Sequence, residues 1–427
     1  MRLLTITLLL TLNAEASVGP ATVAVILPLT GPYADVARNM RAAVELARET
    51  LPALQTNRLD FAFLDNYACP DSARATAERL ADQPEVVAFF AGFPDRCGAA
   101  VKEVAERRGV PYLIVASSAD ALTLGYNRYT FRLSPPSSEL RDGIFAWAAT
   151  VVGVRRPVAV TASDDPRFSD ETGELLSGLA KVWKGKVTTH TFAAGTDDFC
   201  SLLDELSREE PTLVWLVGSE GDIGRFLVQC RETGWMPAAF VFGAVEADSG
   251  IRFASSDRAA DFIYRPAIWW SDAFHPRADD FVRRFSKRTG EAPDFYAAAA
   301  YAGVQLLAAA FRESGADRDR LRAELARTDL QTVIGRVRFE RFREFVGQNR
   351  MRTVALQLQF GRWRTVWPPE LAETKFIYPV PVWRDPRRTD IAGRKSGPNY
   401  LIVIAGFGVL IILLILYRRD MARRGGN

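Results

Sequence analysis

The stretch that decides the fold reads Thr22-Val-Ala-Val-Ile-Leu-Pro-Leu-Thr-Gly-Pro-Tyr-Ala, and an amphipathic segment follows it from Asn39. The apolar run predicts a buried strand, and the Pro and Gly residues after it predict a sharp turn. Val44, Leu46 and Ala47 lie near helical spacing and predict a helix. A strand, turn and helix in this order open a doubly wound parallel sheet, which binds ligands at the carboxyl ends of its strands.

The same alternation continues to about residue 250. Apolar runs predict strands at 22–28, 59–64, 86–91, 111–115, 157–161, 186–192, 212–217 and 238–242. Helical patterns fall between them at 35–53, 70–82, 97–108, 137–153, 168–183, 198–209 and 220–233. Strands that alternate with helices of this length predict parallel sheets, and eight strands favour two α/β lobes over one. A long Ala-rich helix from residue 291, a helix at 317–327 and strands near 332–339, 353–359 and 362–367 complete the prediction.

Composition narrows the function classes. The chain has 427 residues, of which 48% are hydrophobic and 25% charged, as in globular proteins. A formal charge of +3, dispersed along the chain, argues against a nucleic-acid partner. The sequence contains no nucleophile elbow, zincin motif, phosphate loop or dinucleotide fingerprint, and no Cys pair has zinc-ligand spacing. We therefore predict a protein that is not an enzyme, without a cofactor or a metal site.

Two apolar segments near the termini predict the compartment. Residues 1–16 combine Arg2, a short apolar run and Ala14-Glu-Ala, which is typical of a cleaved secretory signal. Residues 400–417 are uncharged, aliphatic and flanked by tyrosines, and they predict a transmembrane helix. A polar linker at 384–399 precedes it, and residues 418–427 form a cytoplasmic tail. The expected location is the periplasmic side of the inner membrane, with a single-pass anchor.

Several segments, in order, resemble the type I periplasmic solute-binding proteins of the branched-chain amino-acid-binding (Leu/Ile/Val-binding) family. The resemblance covers roughly residues 21–367 and is carried by the runs that begin Pro28-Leu-Thr-Gly-Pro-Tyr-Ala, Asp65-Asn-Tyr-Ala-Cys, Ala91-Gly-Phe-Pro-Asp-Arg-Cys, Ala116-Ser-Ser-Ala-Asp, Ala292-Pro-Asp-Phe-Tyr and Val333-Ile-Gly-Arg-Val. It implies two doubly wound lobes joined by three crossings, near residues 134, 265 and 332. Lobe 1 is then 17–134 with 265–331, and lobe 2 is 135–264 with 332–383. A ligand would bind in the cleft, and the lobes would close over it by a hinge.

The same resemblance implies a set of ligand-binding residues. Family members that bind α-amino acids hold the carboxylate with hydroxyls and amides of the third and fourth loops, where this chain has Ser117 and Ser118. Ala119 stands where a Thr is expected, and Asp95 and Arg96 replace a serine run. These departures favour an anionic or aromatic ligand. The expected contacts are Tyr33, Arg96, Ser117, Ser118, Phe168, Ser219, Glu246, Trp270 and Tyr296.

Alternatives remain open for these residues. The aromatic rings would look the same if they only packed in the core, and Arg96 could simply pair with Asp95 at the surface. Cys69 and Cys97 fall at the carboxyl edge of neighbouring predicted strands, and the resemblance supports a disulfide between them. Cys200 and Cys230 fall in successive parallel helices with an axial offset of about 10 Å, which argues against a bond.

The predicted function is that of a membrane-tethered periplasmic solute-binding protein. It would capture a small anionic, aromatic or amino-acid-like ligand for an ABC importer, with a permease as partner. The alternative is a sensory or regulatory ectodomain that acts with another membrane protein, because the same fold serves receptors. The ten-residue tail is too short to hold a signalling domain of its own.

Overall fold

The computed structural model describes residues 21–51, 59–163, 170–243, 258–271 and 277–381. The helices are α1 (Ala34–Thr50), α2 (Pro70–Ala81), α3 (Asp95–Arg108), α4 (Ser137–Ala148), α5 (Asp170–Val182), α6 (Cys200–Glu209), α7 (Glu220–Thr233), α8 (Ala278–Thr289), α9 (Phe295–Ser314) and α10 (Arg318–Ala326). The first five strands are β1 (Ala21–Leu27), β2 (Leu59–Asp65), β3 (Val86–Ala91), β4 (Tyr112–Ile114) and β5 (Thr130–Arg132). The next five are β6 (Val158–Ala162), β7 (Thr188–Phe192), β8 (Leu213–Val217), β9 (Ala239–Phe242) and β10 (Tyr264–Ala267). The last six are β11 (Asp329–Thr332), β12 (Gly335–Arg338), β13 (Glu340–Phe342), β14 (Phe345–Gln348), β15 (Val354–Gln359) and β16 (Arg362–Trp367).

The first sheet has the strand order β2-β1-β3-β4-β5-β14-β13. Its strands from β2 to β14 are parallel, and β13 is antiparallel to β14. Alternate residues of β1 point to opposite faces, as a strand requires. Val23 and Val25 pack in the core with α1 and α9, whereas Ala24 and Ile26 pack in a second core with α2 and α3. The sheet is thus buried on both faces, which explains its continuous apolar runs.

The second sheet repeats the arrangement with the order β7-β6-β8-β9-β10-β15-β16. Strands β6 to β10 are parallel, and β15 and β16 add an antiparallel edge. Helices α6 and α7 cover one face, and α4 and α5 supply Trp147, Leu175 and Leu179 to the core that includes Trp215 of β8. In both sheets the order reverses beside the first strand, so both are doubly wound.

Within the described residues, the chain passes between the two sheets three times. It leaves the first sheet after β5, leaves the second after β10 toward α8 beside α1, and returns to the second between β14 and β15. The third passage therefore lies at 349–353 rather than near residue 332. The difference arises because Gln348 of β14 pairs in register with Arg132 of β5, so β13 and β14 lie on the first sheet, although they were expected in lobe 2. The other domain limits stay a prediction.

The predicted transmembrane helix needs correction. No helix in the part of the chain that the structure describes is long and apolar enough to cross a membrane. The longest of them, α9, has 20 residues, is rich in alanine and is buried in the first core. The fold class that the described residues show is therefore two α/β lobes, and they do not support the single-pass anchor that was expected for the location and the partners. The predicted signal peptide (1–16), linker (384–399), span (400–417) and tail (418–427) lie outside the described residues.

Candidate functional site

Three aromatic rings from separate segments meet at the carboxyl edge of the first sheet. Tyr33 lies in the loop after β1, Phe93 in the loop after β3, and Tyr296 in the first turn of α9. The rings of Tyr33 and Phe93 meet edge to face with centroids 5.5 Å apart, and Phe93 and Tyr296 are also 5.5 Å apart. Phe93 and Tyr296 are buried, whereas Tyr33 is half-buried. We call these three residues the ring cluster; it brings together two of the predicted contacts.

Asp65, at the end of β2, holds the loop that carries Tyr33, and the residue after it holds the loop that carries Phe93. Its Oδ1 accepts hydrogen bonds from the backbone amides of Leu29 at 3.0 Å and Tyr67 at 2.8 Å, and its Oδ2 accepts one from Thr30 Oγ1 at 2.6 Å. The next residue, Asn66, donates from Nδ2 to the carbonyl of Phe93 at 2.9 Å. Sequence reasoning assigned Asp65 no role. The available signal was an acidic residue at the carboxyl end of a predicted strand.

The third loop approaches the sheet so closely that only glycine fits at position 92. Gly92 has a φ of +79°, and a Cβ there would lie 2.8 Å from the Tyr112 hydroxyl oxygen and 2.9 Å from Ile114 Cγ2. Ser117 Oγ donates to the carbonyl of Gly92 and is fully buried. The predicted ligand contact Ser117 therefore ties the third and fourth loops together.

Asp95 begins α3 and bonds to the fourth loop. Its Oδ1 accepts from the amide of Ser118 at 3.1 Å, and its Oδ2 accepts from the amide of Ala119 at 2.9 Å. The carbonyl of Ser118 accepts from the amide and the hydroxyl of Ser137. Arg96 is exposed, and no hydrogen bond or ion pair joins it to another described residue. The structure thus shows no surface pair between Asp95 and Arg96.

A buried guanidinium lies under the fourth loop. Arg132 is fully buried at the end of β5, and its Nη1 donates to the carbonyl of Ala119 at 2.6 Å. Its Nε donates to Gln348 Oε1 at 2.8 Å, while its Nη2 has no hydrogen-bond partner among the described residues. Burial lowers the pKa of Arg132 to about 10, and Asp95 is the strongest of the acids that oppose this shift.

The predicted second-lobe contacts are only partly described. Ser219 caps α7: its Oγ accepts from the amide of Asp222 and donates to Asp222 Oδ2 at 2.6 Å. Trp270 is half-buried and lines a cavity of about 320 Å³ with Ile268, Ile334, Met351 and other residues. Phe168 and Glu246 lie outside the described residues. Ser219 thus lies at the start of a helix of the second sheet, and Trp270 lies in this cavity.

The predicted disulfide is wrong, because Cys69 and Cys97 are both free thiols. Hydrogen bonds from Ser72 hold the Cys69 sulfur at the start of α2 and lower the pKa of Cys69. Cys97 lies in the first turn of α3 and packs in the second core, where burial raises the pKa of its thiol to about 11. Cys200 and Cys230 are also free, in line with the expectation that they are not bonded. The described residues include no cluster of three His, Cys, Asp or Glu side chains suited to a metal ion.

Comparison with known proteins identifies a family and relatives that this chain is similar to. The family model described as periplasmic binding protein matches residues 20–357. The Leu/Ile/Val-binding protein homolog 7 of Brucella abortus is 22% identical over 392 residues, covering 86% of this chain and 96% of that protein. The relatives are solute-binding proteins, which supports a protein that is not an enzyme.

Solved structures share the fold. A solute-binding protein from R. palustris in complex with benzoate has a TM-score of 0.65 at 21% identity, covering 82% of this chain and 96% of that one. The branched-chain amino acid transporter substrate-binding protein LivJ from Streptococcus pneumoniae, in complex with isoleucine, has a TM-score of 0.66 at 19% identity, covering 84% and 100%. The family model spans far more than half of the 427 residues, so this chain belongs to the periplasmic binding protein family.

Proposed function

We propose that this protein binds a small solute with an aromatic or aliphatic body in the cleft between its two sheets and supplies it to an ABC importer. The observation that carries the proposal is the ring cluster. Tyr33, Phe93 and Tyr296 converge at the carboxyl edge of a doubly wound sheet, where such folds bind ligands. Tyr33 keeps part of its surface accessible to a solute. Aromatic rings offer a large contact area and stack on apolar groups.

The relatives support the class of ligand. Structures of similar fold hold benzoate in one case and isoleucine in another. Both ligands combine a small apolar body with a polar group, which is the kind of molecule that a ring cluster beside polar loops would suit. Arg96, Ser118, Ser219 and Trp270, together with Phe168 and Glu246, stay in the proposal as further contacts.

Isothermal titration of the purified full chain tests the proposal. The panel contains benzoate, benzamide, L-leucine, L-isoleucine and L-phenylalanine. We expect at least one of these to bind with a one-to-one stoichiometry and to raise the thermal midpoint, because a ligand that binds only the folded state stabilises it. Denaturing the protein first and analysing the released small molecules by mass spectrometry extends the panel to a solute carried through purification. If neither experiment finds a bound solute, the proposal fails.

The importer role has its own test. Cells that lack this protein should take up the identified solute more slowly, and the wild-type chain should restore uptake. A variant with Tyr33→Ala should restore it less well than the wild type. Uptake that is unchanged when the protein is absent would contradict the importer role while leaving solute binding intact.

A further inference from the structure

The corner between α3 and the fourth loop has the donors of an anion site. The amides of Ser118 and Ala119 point at one carboxylate, each to a different oxygen, at 3.1 and 2.9 Å. The guanidinium of Arg132 lies beneath, bonded to the carbonyl of Ala119. Two converging amides with a buried cation behind them attract an anion strongly, because little water screens the charge.

The chain itself supplies that anion. The carboxylate belongs to Asp95, which is half-buried at the start of α3 and uses both oxygens on the two amides. Asp95 is also the acid that most favours the charged state of Arg132, whose Nη2 has no hydrogen-bond partner in the described part of the chain. A second carboxylate at this corner would face a like charge at short range, which is unfavourable.

We propose that Asp95 is a built-in anion that fills the carboxylate-binding corner of the first sheet, so that the solute presents an amide or amine nitrogen to this corner instead of a carboxylate. A carboxylate oxygen accepts more than one hydrogen bond, so each oxygen of Asp95 keeps capacity for a donor on the solute. The ligand class rests on the proposed function. The claim that Asp95 fills the corner does not rest on the proposed function, and it has a separate test.

Chemical rescue tests the filling of the corner. In Asp95→Ala the amides of Ser118 and Ala119 and the guanidinium of Arg132 lose their anion, so the thermal midpoint should fall. Sodium acetate should restore at least about half of the loss, because a ligand of the folded state stabilises it. Equal concentrations of sodium chloride or acetamide should not restore it.

Two variants control this experiment. Asp95→Asn keeps a side chain of the same shape in the corner, so it should be destabilised but not rescued by acetate. Asp204→Ala removes an exposed acid in the middle of α6 and should respond to acetate like the wild type. The inference is overturned if acetate stabilises Asp95→Ala no more than it stabilises Asp95→Asn or the wild type.

A matched pair of probes tests the ligand class. Benzamide and benzoate have the same size and ring, and they differ in the polar group that would face Asp95. The wild type should bind benzamide more tightly, and the ratio of the two Kd values should shift toward benzoate by at least about tenfold in Asp95→Asn. An unchanged ratio, or a wild type that prefers benzoate, would refute the class. If no solute binds at all, the proposed function and the class both fail, while the acetate experiment still decides whether Asp95 fills the corner.

Discussion

Gln348 Nε2 donates a hydrogen bond to the carbonyl of Ser134 at 2.8 Å, which joins the last passage between the sheets to the first. The Oε1 of the same side chain accepts from Thr123 Oγ1 and from Arg132 Nε, both at 2.8 Å. The next residue, Asn349, donates from Nδ2 to the carbonyl of Leu133 at 3.0 Å. This buried network therefore ties the first and the third passages of the chain between the sheets to each other.

Replacing Gln348 with Leu should destabilise the protein by about 3 kcal/mol, because the donors on Thr123 and Arg132 and the carbonyl of Ser134 lose a buried partner. Urea unfolding followed by circular dichroism measures the change. Gln83→Leu, which alters a half-buried side chain outside this network, is the matched control and should change stability by less than about 0.5 kcal/mol. Equal stability of the two variants would show that the network does not hold the crossings.

Asp65→Ala should weaken solute binding about tenfold, which corresponds to about 1.4 kcal/mol. The reason is positional: the amides of Leu29 and Tyr67 and the hydroxyl of Thr30 lose the carboxylate that fixes the loop leading to Tyr33. Titration with the solute identified above gives the Kd. Asp60→Ala, on the same strand but exposed and paired with exposed Arg48, should leave the Kd unchanged. If both variants lost affinity to a similar extent, the effect would come from a disturbed strand β2 rather than from the loop that leads to Tyr33.

Tyr33→Ala should weaken solute binding more than Tyr33→Phe does, because the ring of Tyr33 meets Phe93 edge to face and the phenylalanine variant keeps that ring. We expect a loss of about tenfold for the alanine variant and less than about threefold for the phenylalanine variant. Tyr126, which is 86% exposed, provides a control ring outside the cluster. If Tyr126→Ala and Tyr33→Ala bind the solute equally well, the ring cluster is not the binding surface.

The parallel core of each sheet could be predicted from the sequence, because a strand buried on both faces reads as an apolar run. The strand predicted at 22–28 is β1 at Ala21–Leu27, and the strand predicted at 238–242 is β9 at Ala239–Phe242. Short, half-exposed strands contain no continuous apolar run from which they could be predicted. The predicted strand near 332–339 is in fact a hairpin of β11 and β12 with a turn at Val333 and Ile334.

The missed features depend on contacts between distant residues. The third crossing is fixed by the pairing of Gln348 with Arg132, which are 216 residues apart in the chain. A pair between Asp95 and its neighbour Arg96 was one open alternative, yet Asp95 bonds to amides 23 and 24 residues away. Local spacing predicted the turn that carries Tyr33 and the helix that carries Tyr296, but it could not predict that Asp95 would bond to the amides of the fourth loop.

The four thiols should react with iodoacetamide at different rates, in an order that their surroundings set. The thiolate is the reactive form, so at pH 8 a lower pKa gives a larger reactive fraction. Hydrogen bonds from Ser72 lower the pKa of Cys69, whereas a hydrogen bond with Asp198 raises the pKa of exposed Cys200. Burial raises the pKa of Cys97 to about 11 and also raises that of Cys230. Peptide mapping should find Cys69 modified first, then Cys200, with Cys97 and Cys230 protected.

The pH dependence of the labelling rates separates the effect of a thiol's pKa from the effect of its burial. Cys69 labelling should level off at a lower pH than Cys200 labelling, because its pKa is the lower of the two. Asp198→Ala should speed the labelling of Cys200 at pH 8 and leave that of Cys69 unchanged, because the acid that raises the Cys200 pKa is then absent. In urea all four thiols should react at similar rates, since burial and fixed hydrogen bonds are lost. A Cys97 that reacts as fast as Cys69 in the native protein would contradict its buried position in α3, and a peptide linked through Cys69 and Cys97 would contradict the free thiols.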